Sequence, residues 1–312
     1  MHSTQFSSGD VIADRRADYA RMLAENGEHE AAVELMEQAL ELVPDWPAGL
    51  LRLADYAEKA GQADKAVPAL RRLLSLDRED LFGAQLKLAL LGAEEVPDQP
   101  PSRYVEALFD DYADRFDSAL VERLDYTVPA KLARLIAEHD DRRFGRAVDL
   151  GCGTGLFGAE IRNRVTRLEG FDLSVNMLAK AGEKGLYHLL AKADLSLDPA
   201  GSGLFDDGHA ERRADLVSAA DVLMYLGDLA NAFALAARLA KPGAFFAFSV
   251  EDAGEGDGYL LAPSLRYAHT ERHVRQRLAE NGFDVVVLTR TTIRMDGGKP
   301  VSGILFLASR TA

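Results

Sequence analysis

Cysteine is almost absent from this 312-residue chain. Cys152 is its only copy, so no internal disulfide can form and a reducing, cytoplasmic setting is expected. No apolar run approaches the roughly 18 residues that a membrane-spanning helix needs. The first ten residues also lack the charged-then-apolar pattern of a secretory signal. Neither membrane insertion nor secretion is therefore expected. Positive charge is short as well: 36 Lys and Arg stand against 50 Asp and Glu, for a net charge of −14. Phosphate backbones call for a basic surface, so nucleic acid is not an expected partner. The seven histidines (His2, His29, His139, His188, His209, His269 and His273) show no metal-ligand spacing with Cys152, and no metal is expected.

What is present divides into two periodicities. Gly27 and Gly61 are 34 residues apart, as are Ala32 and Ala66, and Ala39 matches Leu73 at the same offset. A 34-residue unit of two antiparallel helices is the tetratricopeptide spacing. Small residues fall where the helices must approach, Gly27 and Gly61 fall at the turns, and Pro44 follows a helix it cannot extend. The segment resembles one good repeat at about 13–46 and a degraded one at about 47–80, with a capping helix at about 81–93. The early aromatic is missing from the first copy and the terminal proline from the second; an ordinary helical bundle is the alternative. Residues 1–96 form this expected domain. Residues 97–101, with three prolines in Pro97-Asp98-Gln99-Pro100-Pro101, form a linker that neither helix nor sheet crosses.

Residues 102–312 form the second expected domain, opening with helical patterns at about 102–118 and 126–139 that make an N-terminal lid. Short apolar runs then alternate with helical stretches. The expected strands are 146–150, 168–172, 187–191, 215–219, 244–250, 284–294 and 301–309, and helices are expected at 155–165, 175–184, 228–240 and 270–281. Such alternation predicts a mostly parallel sheet with helices on both faces. The last two strands are joined only by the turn Asp296–Pro300 and should form an antiparallel hairpin. The fold class is thus α/β, a seven-stranded sheet with a terminal hairpin, preceded by an all-α repeat domain.

The first strand ends in Asp149 and runs into Gly151-Cys152-Gly153-Thr154-Gly155. Leu156 stands where a dinucleotide-binding loop would need its third glycine. A three-glycine loop after an acidic strand end resembles instead the first motif of class I S-adenosylmethionine-dependent methyltransferases. Asp172 ends the second strand, where a carboxylate can accept from ribose hydroxyls, with Leu173 and Met177 following it. Asp194 and Leu195 follow the third strand, where the adenine edge and ring are met. Asp221 follows the fourth, beside the point where the strand order reverses. Residues 102–310 are similar to bacterial tetratricopeptide-containing methyltransferases, relatives of the trans-aconitate and ubiquinone-type small-molecule enzymes. The resemblance rests on Tyr104–Asp117 (YVEALFDDYADRFD), Arg266-Tyr267-Ala268-His269 and the glycine loop. It implies S-adenosylmethionine held by Asp149, Gly151, Cys152, Gly153, Gly155, Asp172, Leu173, Met177, Asp194, Leu195, Asp221 and Tyr112. Asp149 is expected to help place the methionine ammonium, and Cys152 to be a small, inert filler.

The acceptor side is less defined. Tyr112 and Phe116 are i, i+4 neighbours and form either a lid over the cofactor or plain packing on the sheet. Tyr225 replaces a histidine common in relatives; it is expected to shape the pocket, to donate a hydrogen bond, or to pack in the core, and it is a candidate catalytic residue and, with Phe116, a candidate contact of the acceptor. His269 is the candidate general base, or else a helix-entry histidine bonded to backbone. Arg266 and Arg294 are candidates to hold an acceptor carboxylate. The expected function is methyl transfer to a small-molecule oxygen or nitrogen, with the repeats docking a protein partner or self-associating. A protein methyltransferase that docks its substrate on the repeats, or a non-catalytic scaffold, are the alternatives.

Overall fold

The computed structural model describes residues 7–116 and 126–311. The chain divides into two compact units, Met1–Tyr104 and Val105–Ala312.

The first unit is helical: α1 (Val11–Glu25), α2 (His29–Leu42), α3 (Pro47–Lys59), α4 (Ala63–Leu76) and α5 (Ala84–Leu90). Asp10 caps α1 by accepting from the amides of Ile12 and Ala13 at 2.8 and 2.9 Å, and Pro47 opens α3 where its missing N–H costs nothing. Gly27 and Gly61 turn the two helical hairpins with φ of +85° and +72°, a conformation that disfavours any side chain. The core between the helices is built largely from alanine. Ala13, Ala17, Ala20, Ala32, Ala39, Ala57 and Ala66 are wholly buried, which lets the helices approach closely. The expected capping helix is present but shorter, because Gly83 in a left-handed conformation delays its start. No helix or strand occupies residues 92–101.

The second unit opens on α6 (Ser102–Tyr112), which begins at the end of the first, a 3-10 turn (Ala113–Arg115) and α7 (Val128–His139). The expected helical pattern to residue 118, and Asp117 of the resembling segment, extend beyond the described residues. A nine-stranded sheet follows: β1 (Phe144–Leu150), β2 (Val165–Asp172), β3 (Leu189–Lys192), β4 (Ala214–Ala219), β5 (Ala240–Asp252), β6 (Tyr259–Leu261), β7 (Tyr267–His269), β8 (Phe283–Asp296) and β9 (Lys299–Arg310). The helices between them are α8 (Leu156–Ile161), α9 (Val175–Glu183), α10 (Ala230–Leu239) and α11 (Glu271–Glu280). Strands β3, β2, β1, β4 and β5 run parallel in that order, while β9 pairs antiparallel with β5 and β8 with β9. The terminal hairpin is therefore present. The seven expected strands are all present, and among the described residues the short β6–β7 hairpin adds two more where β5 outruns β4.

Alternation along the strands splits the core between the two faces. Phe246, Phe248, Phe306 and Ala308 pack with Phe233 of α10 and with Val274 and Leu278 of α11. Ala247, Leu305 and Leu307 pack on the other face with Leu132 and Ile136 of α7 and with Phe157 and Ile161 of α8. The rings of Phe248 and Phe306 stack at 5.1 Å and 9°. This double cover holds the carboxyl ends of β1, β2, β4 and β5 in fixed relation, and the site is built there.

Candidate active site

Gly151, Gly153 and Gly155 all adopt positive φ, of +65°, +52° and +89°. The constraint at Gly151 is also spatial, since a Cβ there would lie 2.4 Å from Cγ2 of Val222. The loop consequently presents bare backbone at the reversal point between β1 and β4. Cys152 is buried inside it, its amide donating to the Phe171 carbonyl at 3.0 Å, and burial pushes its thiol well above the ordinary value. It is a small unreactive filler on this geometry.

Asp172 closes the loop from β2. Its Oδ2 accepts from the Gly153 amide at 2.8 Å and its Oδ1 from the Ser174 amide at 2.9 Å. Loss of water pushes the carboxyl up to about 6, against the pull of those amides. The Leu173 amide also holds this carboxylate, and of its roughly four acceptor positions about one remains for a hydroxyl donor. Asp194, half-buried beyond β3, accepts through Oδ1 from the amide and hydroxyl of Ser196 at 2.9 and 2.6 Å. Leu173 is half-buried, Leu195 is buried beside Asp194, and Met177 is wholly enclosed on the inner side of α9.

Asp149 is 1% exposed, and its two oxygens accept from Ser218 Oγ at 2.7 Å and Tyr187 OH at 2.8 Å. It braces the loop from within, and burial pushes its carboxyl up to about 6. Sequence reasoning missed Tyr187. Its ring lies where Cβ atoms at Gly155, Gly158 and Gly170 would fall within 3 Å, so three glycines make its seat.

The segment before α7 closes one side. Phe116 lies 3.8 Å from where a Cβ of Gly153 would stand, and its ring meets Tyr112 at 5.7 Å, edge to face. Phe109 meets Tyr225 at 5.0 Å. The segment is tied down by Ser174 Oγ donating to Asp110 at 2.5 Å, by a Lys180–Asp114 ion pair at 3.1 Å and by a Lys192–Glu106 ion pair.

Around the ends of β4, β5 and β8 the structure corrects three expectations. Arg294, 2% exposed, donates through Nη1 to both oxygens of Asp221 at 3.1 Å and through Nη2 to Glu251. Arg294 is thus engaged by Asp221 and Glu251 in place of an acceptor carboxylate, and Asp221 holds Arg294 through both of its oxygens. Asp221 itself sits at φ +57°, its amide donating to Ser249 Oγ at 2.8 Å. His269 is 0% exposed; its Nε2 lies 2.9 and 3.0 Å from the carbonyls of Leu226 and Gly227, which makes Nε2 the protonated nitrogen. Burial pushes its pKa down to about 4. A histidine with no exposed atom does not serve as base to a bound acceptor, and the backbone-bonded alternative is what the chain contains. Tyr225 is buried, and its hydroxyl accepts from Arg266 Nε at 3.3 Å; Arg266 Nη1 donates to Asp296 at 2.9 Å.

A nine-stranded sheet of this order, with a glycine loop at the reversal point and an acid closing it from the next strand, defines the class I methyltransferase fold. Comparison with known proteins agrees: a family model described as methyltransferase domain matches residues 120–288, and tetratricopeptide repeat models match 13–56 and 48–80. The chain belongs to the methyltransferase-domain family and carries N-terminal tetratricopeptide repeats. It is 27% identical over 147 residues to the malonyl-[acyl-carrier protein] O-methyltransferase of Salmonella typhimurium, covering 46% of this chain and 53% of that one. It is 30% identical over 105 residues to the ubiquinone biosynthesis O-methyltransferase of Hahella chejuensis, covering 33% and 42%. The chain thus spans about half the length of the curated relatives it matches. In fold it is similar to magnesium protoporphyrin IX methyltransferase from Synechocystis, solved with bound SAH, at a TM-score of 0.51 and 20% identity over 67% of this chain and 99% of that one. The cofactor of this class is S-adenosylmethionine. The residues here fit it: bare backbone at three left-handed glycines admits a close ligand, and Asp172 is a desolvated carboxylate with an acceptor position to spare.

Proposed function

We propose that the protein transfers a methyl group from S-adenosylmethionine to a small-molecule oxygen that is already anionic, a carboxylate or a phenolate. The observation that carries the first part is the closure of the Gly151–Gly155 loop by Asp172 through the Gly153 amide. When bound, the cofactor supplies an electrophilic methyl group on a sulfonium. Asp172 and Asp194 would hold its polar edges, Leu195 its ring, and the Tyr112–Phe116 pair would keep water from the reacting centre, where alignment and dehydration supply most of the rate.

The choice of an anionic oxygen rests on two observations. The relatives named above are O-methyltransferases. No unspent histidine faces the site among the described residues, and an anionic oxygen needs no base. Among the described residues Arg266, which meets Tyr225 through Nε and Asp296 through Nη1, is a cation placed to orient such a group. The test is turnover of labelled cofactor with a panel of small carboxylic acids, phenols and primary amines. Esters or aryl ethers are expected as products. Labelling of amines alone would sink the oxygen assignment, and failure to bind S-adenosylmethionine would sink the enzyme reading.

The repeats favour a second element of function, the docking of a protein partner, because stacked helical hairpins make concave surfaces.

A further inference from the structure

We propose that the chain carries a second binding site, for a small phosphate dianion, at the amino-terminal ends of the strands. A cavity of about 290 Å³ opens there, lined by Gly145, Arg146, Arg167, Arg213, Asp215 and Lys241. Arg146 lies four residues before Leu150 on β1, so at about 3.3 Å per residue the cavity is about 13 Å along the strand from the glycine loop. It is not part of the cofactor site.

The cavity is basic in a protein of net charge −14. Three guanidiniums converge on one carboxylate, that of Glu169, whose side chain is 2% exposed. Arg167 Nε lies 2.8 Å from Oε1, Arg146 Nε 3.5 Å from the same oxygen, and Arg213 Nε 2.9 Å from Oε2. Lys241 Nζ lies 2.7 Å from Asp215 Oδ1. Four cations therefore face two carboxylates.

The cations differ in what they have left. Arg213 is buried and spent: besides Glu169, its Nη1 donates to the Ala210 carbonyl at 2.9 Å and its Nη2 to the Leu204 carbonyl at 3.2 Å. Arg213 alone would neutralise Glu169, so a purely structural pair has no need of the other two. Arg146 and Arg167 touch Glu169 through Nε only, on side chains 35% and 43% exposed. Their Nη ends are left for an acceptor in the cavity, and Lys241 adds an ammonium, also 43% exposed. Two guanidinium forks and an ammonium match the three oxygens and two charges of a phosphate monoester better than the single charge of a carboxylate. Glu169 fixes the forks beforehand, which lowers the ordering cost of binding.

The test is calorimetric titration of the full chain with inorganic phosphate and, separately, with glycerol 3-phosphate. Saturable one-to-one binding that weakens with salt is expected, unchanged by saturating S-adenosylhomocysteine. The pair Arg146→Gln and Arg167→Gln should weaken it by at least about tenfold, the range of charged hydrogen bonds, whereas Lys299→Gln, which removes a charge elsewhere, should not. Lys241→Gln, at the rim, should weaken it several-fold and serves if the double variant melts early. Equal affinity for the two probes assigns the site to free phosphate; tighter binding of the ester assigns it to a phosphorylated metabolite. Absence of saturable binding, competition by S-adenosylhomocysteine, or affinity that survives the loss of Arg146, Arg167 and Lys241 overturns the proposal.

Discussion

Burial pushes the two carboxyls beside the glycine loop up to about 6, and they predict opposite experiments. Asp172 has about one acceptor position left for a ligand, so a donor arriving from a ribose would favour its ionised form. Cofactor affinity should then be full above about pH 6 and fall as the pH drops through that value. Asp172→Asn should cost about 1.5–3 kcal/mol of binding, roughly 10- to 100-fold, and should flatten the pH dependence. Calorimetry at pH 5, 6 and 7.5 measures both, and a variant with wild-type affinity at pH 7.5 would remove Asp172 from the site. Asp149 is buried and held on both oxygens from within the fold, so its charge matters to the fold itself. Its folded pKa lies above the ordinary 3.8, so the fold favours the protonated form, and stability from this group declines as pH rises from about 4 to about 6. Asp149→Asn should therefore change the melting temperature of the cofactor-free protein more favourably at pH 7.5 than at pH 5, by a few degrees. An equal change at both values would mean that the carboxyl is not raised.

Among the elements, those with a complete period were legible and those without one were not. β1, β2 and β4 match their expected spans to within about three residues, because buried parallel strands bounded by Asp or Gly leave little choice. β6 and β7, at three residues each, are too short to complete a pattern and exist through pairing with each other and with β5. β5 starts at Ala240 although Pro242 and Gly243 argue for a turn; the long β9 partner begins to pair only at Phe245. The acids at strand ends were legible for the same reason as the strands. Their partners were not, since Arg294 reaches Asp221 across 73 positions and Tyr187 reaches Asp149 across 38. The Arg294 contact also yields a prediction, because it joins β8 to β5 and to the loop after β4. Breaking a buried pair from one side leaves unpaired charge and costs about 3–5 kcal/mol. Arg294→Met should lower the melting temperature by about 10 °C, and adding Asp221→Asn and Glu251→Gln should recover much of the loss. If the triple variant melts no higher than the single one, the cost comes from packing and not from stranded carboxylates.

For the whole molecule, the two units make separable claims. Unit Val105–Ala312 contains the glycine loop, both acids, the Tyr112–Phe116 pair and its own core on each face of the sheet. The helical unit has a separate core, built on alanine contacts between hairpins. A chain lacking residues 1–98 should therefore fold, bind S-adenosylmethionine within about threefold of the full chain, and methylate a small acceptor at a similar rate, since domains with their own cores fold alone. What it should lose is any capture of a protein partner or any self-association carried by the repeats. Melting by circular dichroism, calorimetric affinity and turnover on the acceptor found in the screen give three independent readings. A truncated chain that melts cooperatively and binds cofactor but no longer turns over the small acceptor would move the acceptor onto the repeats. The protein-substrate alternative would then replace the small-molecule reading, while the cofactor site derived above would stand.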